Sequence, residues 1–241
     1  MKRNAQDRRR QRQRAVRARG QQPQRRWWIA GVVAAAVAVV AGLILLGQVE
    51  SAPTAAAVVT AGKVKGDAAA PVTIDEWADF QCPACRAFTL GPGRQLDETY
   101  IKDGTAKLVW HNMAFLGQES VWAAEAADCA DEQGRFWDYH DKLYAEQAGE
   151  NRGAFSKDNL KRFAADLGLD QPAFNACLDS DRYAAQVKAE TEAGRQQGVR
   201  STPTLFVNGQ KIEGVPRFEQ LSQVIAAQAA AAGAPPAEAQ P

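Results

Sequence analysis

Asp79-Phe80-Gln81-Cys82-Pro83-Ala84-Cys85-Arg86-Ala87-Phe88 overlaps the end of a stretch, Val72 to Phe80, that alternates in the manner of a strand. Val72, Ile74, Ala78 and Phe80 share one face, with Glu76 among them as the lone carboxylate, and Trp77 lies on the other. Pro83 suits the first turn of a helix, where its missing N–H has no partner to lose. Cys82 is thereby placed at a helix N-terminus with Cys85 one turn on, near enough for a disulfide. Free backbone N–H groups and the helix dipole at this end favour the Cys82 thiolate. A thiolate is the species that attacks a disulfide, and a low-pKa sulfur is also the better leaving group. The spacing predicts a redox pair. Two other readings of the residues stay open, half of a zinc site and an inert structural disulfide. Zinc needs two further ligands at comparable spacing; His111 and His140 are well separated, and there is no second CxxC.

Outward from this segment, the helix that opens at the cysteines is interrupted near Gly91-Pro92-Gly93, and Ala106 to Trp110 reads as a second strand. A long helical block follows, at about 117–197. Pro203 to Val207, the Asn208-Gly209 turn and Gln210 to Glu213 form a β-hairpin, Asn-Gly being the strongest short hairpin signal. A last amphipathic helix presents Phe218, Leu221, Val224 and Ile225 on one side. This order predicts an α/β domain at 71–229 with a mixed central sheet and an all-helical insertion. Residues 230–241, rich in Ala, Pro and Gly, read as a disordered tail.

Toward the N-terminus the charge is lopsided. Residues 1–26 hold eleven Lys/Arg and one acid, Asp7, so they carry +10 and leave −9 for the rest of a chain whose formal net charge is +1. The uncharged run Trp27 to Gly47 has 21 residues. As a helix it spans about 31 Å, matching a bilayer core of about 30 Å. The basic flank belongs inside the cell, so the reading is a cytoplasmic arm (1–26), a transmembrane anchor (27–47), a linker (48–70) and a catalytic domain outside the membrane. A cleaved signal peptide is the alternative, with small residues at Ser51 to Ala57, although its apolar region would normally be shorter. Arg25-Arg26 also faintly resembles a twin-arginine signal. The arm lacks the interleaved aromatics that stack on bases, and no nucleic-acid partner is expected.

All four cysteines, Cys82, Cys85, Cys129 and Cys177, lie beyond the anchor, and an even count in an oxidising compartment suggests two pairs. Cys129 and Cys177 both fall on apolar helix faces, so two buried free thiols also remain open. His140 lies on the apolar face of Phe136, Trp137 and Tyr144 and reads as a core histidine; Trp110, Trp122 and Trp137 read as core, and His111 is given no role.

Asp79 to Phe88, Ala123 to Tyr144 (AAEAADCADEQGRFWDYHDKLY) and Gly198 to Gly209 (GVRSTPTLFVNG) closely resemble the DsbA-like branch of the thioredoxin superfamily. The resemblance covers roughly Val72 to Ala227. It implies a thioredoxin-like fold and assigns Pro203 as a cis-proline facing the active-site pair, with Thr202 offering its backbone to a substrate strand. It assigns Glu76 as the buried acid behind the pair, fit to shuttle the Cys85 proton. It further implies that Cys129 and Cys177 form a second, non-catalytic bridge. The family's namesake has histidine where this chain has Ala84, which implies a less extreme oxidant. The expected function is an extracytoplasmic dithiol oxidase acting on exported proteins with cysteine pairs. A quinone-linked membrane partner, DsbB-like or vitamin K epoxide reductase-like, would reoxidise it, and no cofactor or metal is implied. A reductase or isomerase of the same fold is the first alternative. A thiol-based metal-carrying module is the second; with methionine only at Met1 and Met113, it lacks a clustered Met/His site.

Overall fold

The structure, a computed structural model, describes residues 62–233. The arm, the apolar run 27–47, linker residues 48–61 and the tail from 234 lie outside the described residues. Among the described residues no helix is long and apolar enough to cross a membrane.

The alternation read from Val72 onward becomes the central strand of a five-stranded sheet. The strands are β1 (Val64–Lys65), β2 (Val72–Ala78), β3 (Ala106–Asn112), β4 (Thr204–Val207) and β5 (Gln210–Glu213), in the order β1-β3-β2-β4-β5. β2 and β3 are parallel and the other pairs antiparallel, so the sheet is mixed. Parallel neighbours need a crossover. Here it is made by α1 (Pro83–Leu90) and α2 (Pro92–Leu96), which runs on into a π-helical turn, Asp97–Ile101. Five helices stand between β3 and β4: α3 (Gln118–Asp131), α4 (Phe136–Glu146), α5 (Lys157–Asp166), α6 (Gln171–Asp179) and α7 (Ala184–Gln196). They are the insertion expected at 117–197. Asn208 and Gly209 both take positive φ, 45° and 86°, the backbone a two-residue hairpin turn demands. α8 (Phe218–Ala231) closes the domain and runs two residues into the segment read as tail.

Both faces of β2 are covered. Val72 and Ile74 pack with Leu205, Val207 and, from α8, Leu221 and Ile225. Trp77, on the opposite face, packs with Met113 and Val199. Gly194 of α7 lies so close to the Trp77 ring that a Cβ there would come within 2.6 Å of it. Phe80 and Trp110 stack at 4.6 Å and join the insertion helices in one core. Cys129 on α3 and Cys177 on α6 are joined by a disulfide across 48 residues, both fully enclosed.

The linker reading of 48–70 requires correction at its C-terminal end. β1 lies within it, pairing Lys65 with Leu108 and Val64 with Val109. Lys63, within the stretch read as a linker, is buried with its Nζ 2.6 Å from Asp128 and 3.3 Å from Glu190. The strand escapes a periodicity reading because it has two residues. His111 also has surroundings the sequence did not show: its Nε2 is 2.8 Å from Asp75 and its ring stacks on Trp77. Burial opposes its charge, but Asp75 and Glu190 outweigh burial and raise its pKa.

Candidate active site

β2 ends at Ala78, and the chain turns through Asp79–Gln81 into α1. Cys82 is the N-cap, extended at φ −71°, ψ 121°, with Pro83 in the first turn. Several side chains fix that turn. The Asp79 carboxylate accepts from the Gln81 amide (2.8 Å), the Ser120 hydroxyl (2.7 Å) and the Phe115 and Leu116 amides (3.0 and 3.1 Å). From the end of α4, Gln147 Nε2 donates to the carbonyls of Phe80 (2.7 Å) and Cys82 (3.1 Å), and Tyr144 Oη to that of Asp79 (3.3 Å). Arg86 Nε returns a bond to the Tyr144 carbonyl at 2.8 Å. The insertion thus grips the catalytic turn from one side.

Thr202 and Pro203 close the other side, with the peptide bond between them cis. The Cys82 thiol donates to the Thr202 carbonyl at 3.4 Å. Cys82 keeps only 8% of its surface exposed and Cys85 none. The two free thiols differ in acidity. A hydrogen bond from Cys85 is the main reason the Cys82 pKa falls from 9.0 to about 6; burial opposes the fall, and the Thr202 side chain and the Cys85 and Ala84 amides add to it. Cys85 is pushed well above 9.0, first by burial and then by the neighbouring Cys82 sulfur.

Glu76 lies on β2 behind the pair. It is fully buried, and its Oε1 has no hydrogen-bond partner. Burial raises its pKa from 4.5 to about 8. On β3 its register partner is Trp110, whose indole N–H goes to Asn112 instead. The structure therefore brings Cys82, Cys85, Thr202, Pro203 and Glu76 to one end of the sheet. His140 is a core residue, its ring about 5 Å from those of Trp110, Trp137 and Tyr144. Among the described residues no three His, Cys, Asp or Glu side chains are grouped to hold a metal ion. Asp79 and Gln147 are site residues that sequence reasoning missed. Asp79 stands inside the cysteine segment, but nothing in the sequence marks Gln147, which reaches across 65 residues.

This arrangement, one acidified thiol at a helix terminus over one buried neutral thiol, suits stepwise thiol–disulfide exchange. The comparisons with known proteins agree. The thioredoxin family profile matches residues 59–227. The disulfide bond formation protein D of Bacillus subtilis is 27% identical over 165 residues, covering 67% of this chain and 74% of that protein. Over the same length a Na(+)/H(+) antiporter, NhaA 3 of Salinispora tropica, is 36% identical; the match covers 67% of this chain and 24% of the antiporter, so the chain spans about a quarter of that relative. In three dimensions the oxidised BdbD of Bacillus subtilis superposes with a TM-score of 0.66 at 26% identity, covering 70% of this chain and 92% of BdbD. With its CPxC helix, its mixed sheet and its helical insertion, the chain belongs to the thioredoxin family, in the DsbA-like branch of thiol-disulfide oxidoreductases.

Proposed function

We propose that the protein is a dithiol oxidase that introduces disulfides into exported proteins outside the cell membrane. The observation that carries this reading is the split between the two thiols, Cys82 acidified to about 6 and Cys85 held well above 9.0. A thiolate stabilised at Cys82 favours the reduced form, which makes the oxidised pair the electron acceptor. In the forward step a substrate thiolate attacks Cys82 Sγ. The Cys82–Cys85 bond breaks, a mixed disulfide forms on Cys82, and Cys85 leaves with the electron pair. Buried Cys85 does not remain an anion, and protonated Glu76 is the general acid behind it. The substrate's second thiolate then attacks its own half of the mixed disulfide, and Cys82 departs as the stabilised thiolate. The substrate gains one disulfide and the enzyme two electrons. In reoxidation Cys82 attacks a partner's disulfide, Glu76 takes the Cys85 proton, and Cys85 displaces the partner. The partner's chemistry is that of a quinone-linked membrane protein, DsbB-like or vitamin K epoxide reductase-like.

The uncharged run 27–47 behind a +10 arm supports a single membrane anchor with the domain outside. The role of Thr202 is to offer its backbone to the extended substrate segment beside Cys82, with Pro203 holding that turn. Cys129–Cys177 lies in the insertion core and takes no part in exchange.

The test uses the oxidised full-length chain and a reduced, unfolded protein with several cysteines. One substrate disulfide should form for each Cys82–Cys85 pair consumed. Cys85→Ala, reduced and presented with a disulfide, should accumulate as a mixed disulfide on Cys82, whereas Cys82→Ser should form none. Reduced full-length chain that passes its electrons to the product disulfide, leaving the substrate's thiols free and Cys82–Cys85 joined at equilibrium, would contradict the direction proposed.

A further inference from the structure

Gln81 stands one residue before Cys82, and its side chain is fully enclosed. A buried carboxamide has two donors and an acceptor to satisfy. Here Nε2 donates to Ser120 Oγ at 2.8 Å and to Asn151 Oδ1 at 3.4 Å, while Oε1 accepts from the Asn151 amide at 2.6 Å. The Ser120 hydroxyl gives its own proton to the Asp79 carboxylate, so toward Gln81 it can only accept. The site thus presents an acceptor and a backbone donor side by side. A carboxamide answers both from one end; a carboxylate or an apolar side chain does not. Asn151 lies in the loop between α4 and α5, 147–156, in the left-handed conformation at φ 50°. Its Nδ2 donates to the Leu116 carbonyl at 2.6 Å, and its side chain lies against Gly117, where a Cβ would come within 2.3 Å of Oδ1. Glu119 fixes the far end of the loop, accepting from the Gly153 and Phe155 amides at 2.7 and 2.8 Å. At the near end Gln147 holds the Phe80 and Cys82 carbonyls. The loop therefore grips the chain just before the Cys82 α-carbon, through the Gln81 side chain, and just after it, through the Cys82 carbonyl.

We infer that Gln81 is a positioning residue for the exchange reaction: its carboxamide moors the cysteine turn to the 147–156 loop and so fixes the direction in which Cys82 presents its sulfur. The inference rests on the oxidoreductase reading above and adds to it a residue whose side-chain bonds all go to the helical insertion. Cys82 is the N-cap, outside the helical ladder, so its backbone has to be held by other groups. Its amide donates to the Asp79 carbonyl at 3.0 Å, and its carbonyl accepts from the Arg86 amide at 3.2 Å and from Gln147. The Gln81–Asn151 bridge completes this frame on the side from which the chain enters. The Cys82 sulfur needs the frame because its partners act at short range. It bonds to the Thr202 carbonyl at 3.4 Å while it also faces the Cys85 thiol and the Cys85 and Ala84 amides. Such bonds weaken steeply as distance and angle depart from their best values, so a turn that rocks loses part of each of them at once. Opening the bridge leaves the sheet and helices in place and frees the turn. Gln81 itself makes and breaks no covalent bond and passes no proton.

The experiment is alkylation of the reduced full-length chain across a pH series, read by mass at Cys82, with the melting temperature measured alongside in three variants. Gln81→Leu removes all three side-chain bonds at nearly the same volume. Gln81→Asn keeps the amide but is one methylene too short to reach Asn151. Asn151→Gly removes only a side chain: glycine takes the left-handed backbone freely, and the amide that Gln81 accepts from stays. In the unchanged chain the Cys82 midpoint is about 6. Both Gln81 variants should raise it by about one unit, and with it lower the equilibrium constant for oxidising glutathione at pH 7 by about fivefold. Asn151→Gly should lower the melting temperature and leave the midpoint in place. Gln81 variants that melt earlier yet keep the midpoint would show a merely structural role and overturn the inference. So would a midpoint raised as far by Asn151→Gly as by the Gln81 variants, because the loop as a whole would then hold the turn without need of Gln81. An unchanged chain whose Cys82 titrates near 9.0 refutes the oxidoreductase reading and the inference with it. A midpoint of about 6 that both Gln81 variants leave in place refutes the inference alone.

Discussion

Changing the pH from about 5 to about 8 perturbs the redox pair through a single group, the Cys82 thiol. A disulfide couple takes up two electrons, and where both thiols are protonated it takes two protons, so its potential falls by about 59 mV per pH unit. Cys82, with its pKa lowered from 9.0 to about 6, stops taking a proton above that point. The slope should then halve, to about 30 mV per unit. Cys85, pushed well above 9.0 by burial, adds no second break in this range. A depressed pKa in the reduced fold stabilises that form fully above 9.0, and the gain is lost as pH falls through about 6. At pH 7 the reduced form gains a factor of about 11, or about 1.4 kcal/mol, which makes the pair about 30 mV more oxidising than one with an unshifted Cys82. The assay equilibrates the full-length chain with glutathione buffers at each pH, quenches with acid, alkylates the free thiols and reads the redox ratio by mass. One uniform slope near 59 mV per unit across the range would refute the reasoning, because no thiolate would then be held at the helix terminus.

Three further outcomes follow from the same structure. Glu76→Gln removes a buried carboxyl whose folded pKa of about 8 lies above its ordinary 4.5; such a group loses the protein stability as pH rises from 4.5 through 8, so the variant should gain about 3 kcal/mol at pH 7 in thermal unfolding, and an unchanged melting temperature would contradict the burial argument. Lys63→Met leaves Asp128 and Glu190 buried without their cation; guanidinium unfolding should show a loss of about 3–5 kcal/mol, and a loss under about 1 would mean the cluster relaxes to water. Replacing Cys129 and Cys177 together with alanine opens a loop of 48 residues; stability should fall by about 4 kcal/mol while dithiol oxidation by the folded protein persists, and loss of that activity without unfolding would give the bridge a chemical role.

The parts of the fold legible from sequence are those in which local pattern and tertiary burial agree. Val72 to Ala78 alternates because it is the central strand, and Asn208-Gly209 supplies the two positive φ angles its hairpin needs. Cys82-Pro83 marks a helix start that depends on nothing distant. Other features depend on contacts across the chain and leave no local trace. Lys63 is buried because Asp128 and Glu190, 65 and 127 residues away, enclose its ammonium, while its neighbours Gly62 and Gly66 suggest a tether. Gln147 and Asp79 work through backbone groups of distant segments, and such bonds have no residue pattern. The reverse also occurs. Glu76 and Trp77 compete in the sequence for the buried face of β2, and in the structure helices cover both faces, so both residues are enclosed.

The central claim is that Cys82 is the activated thiolate and Cys85 its silent partner. The most direct test is alkylation of the reduced full-length chain across a pH series, with labelling read by mass at each cysteine. Cys82 should label along a curve with its midpoint at about 6, and Cys85 should stay unlabelled through neutral pH. Faster labelling of Cys85 than of Cys82, or equal labelling of both at the rate of an ordinary free cysteine, would contradict it.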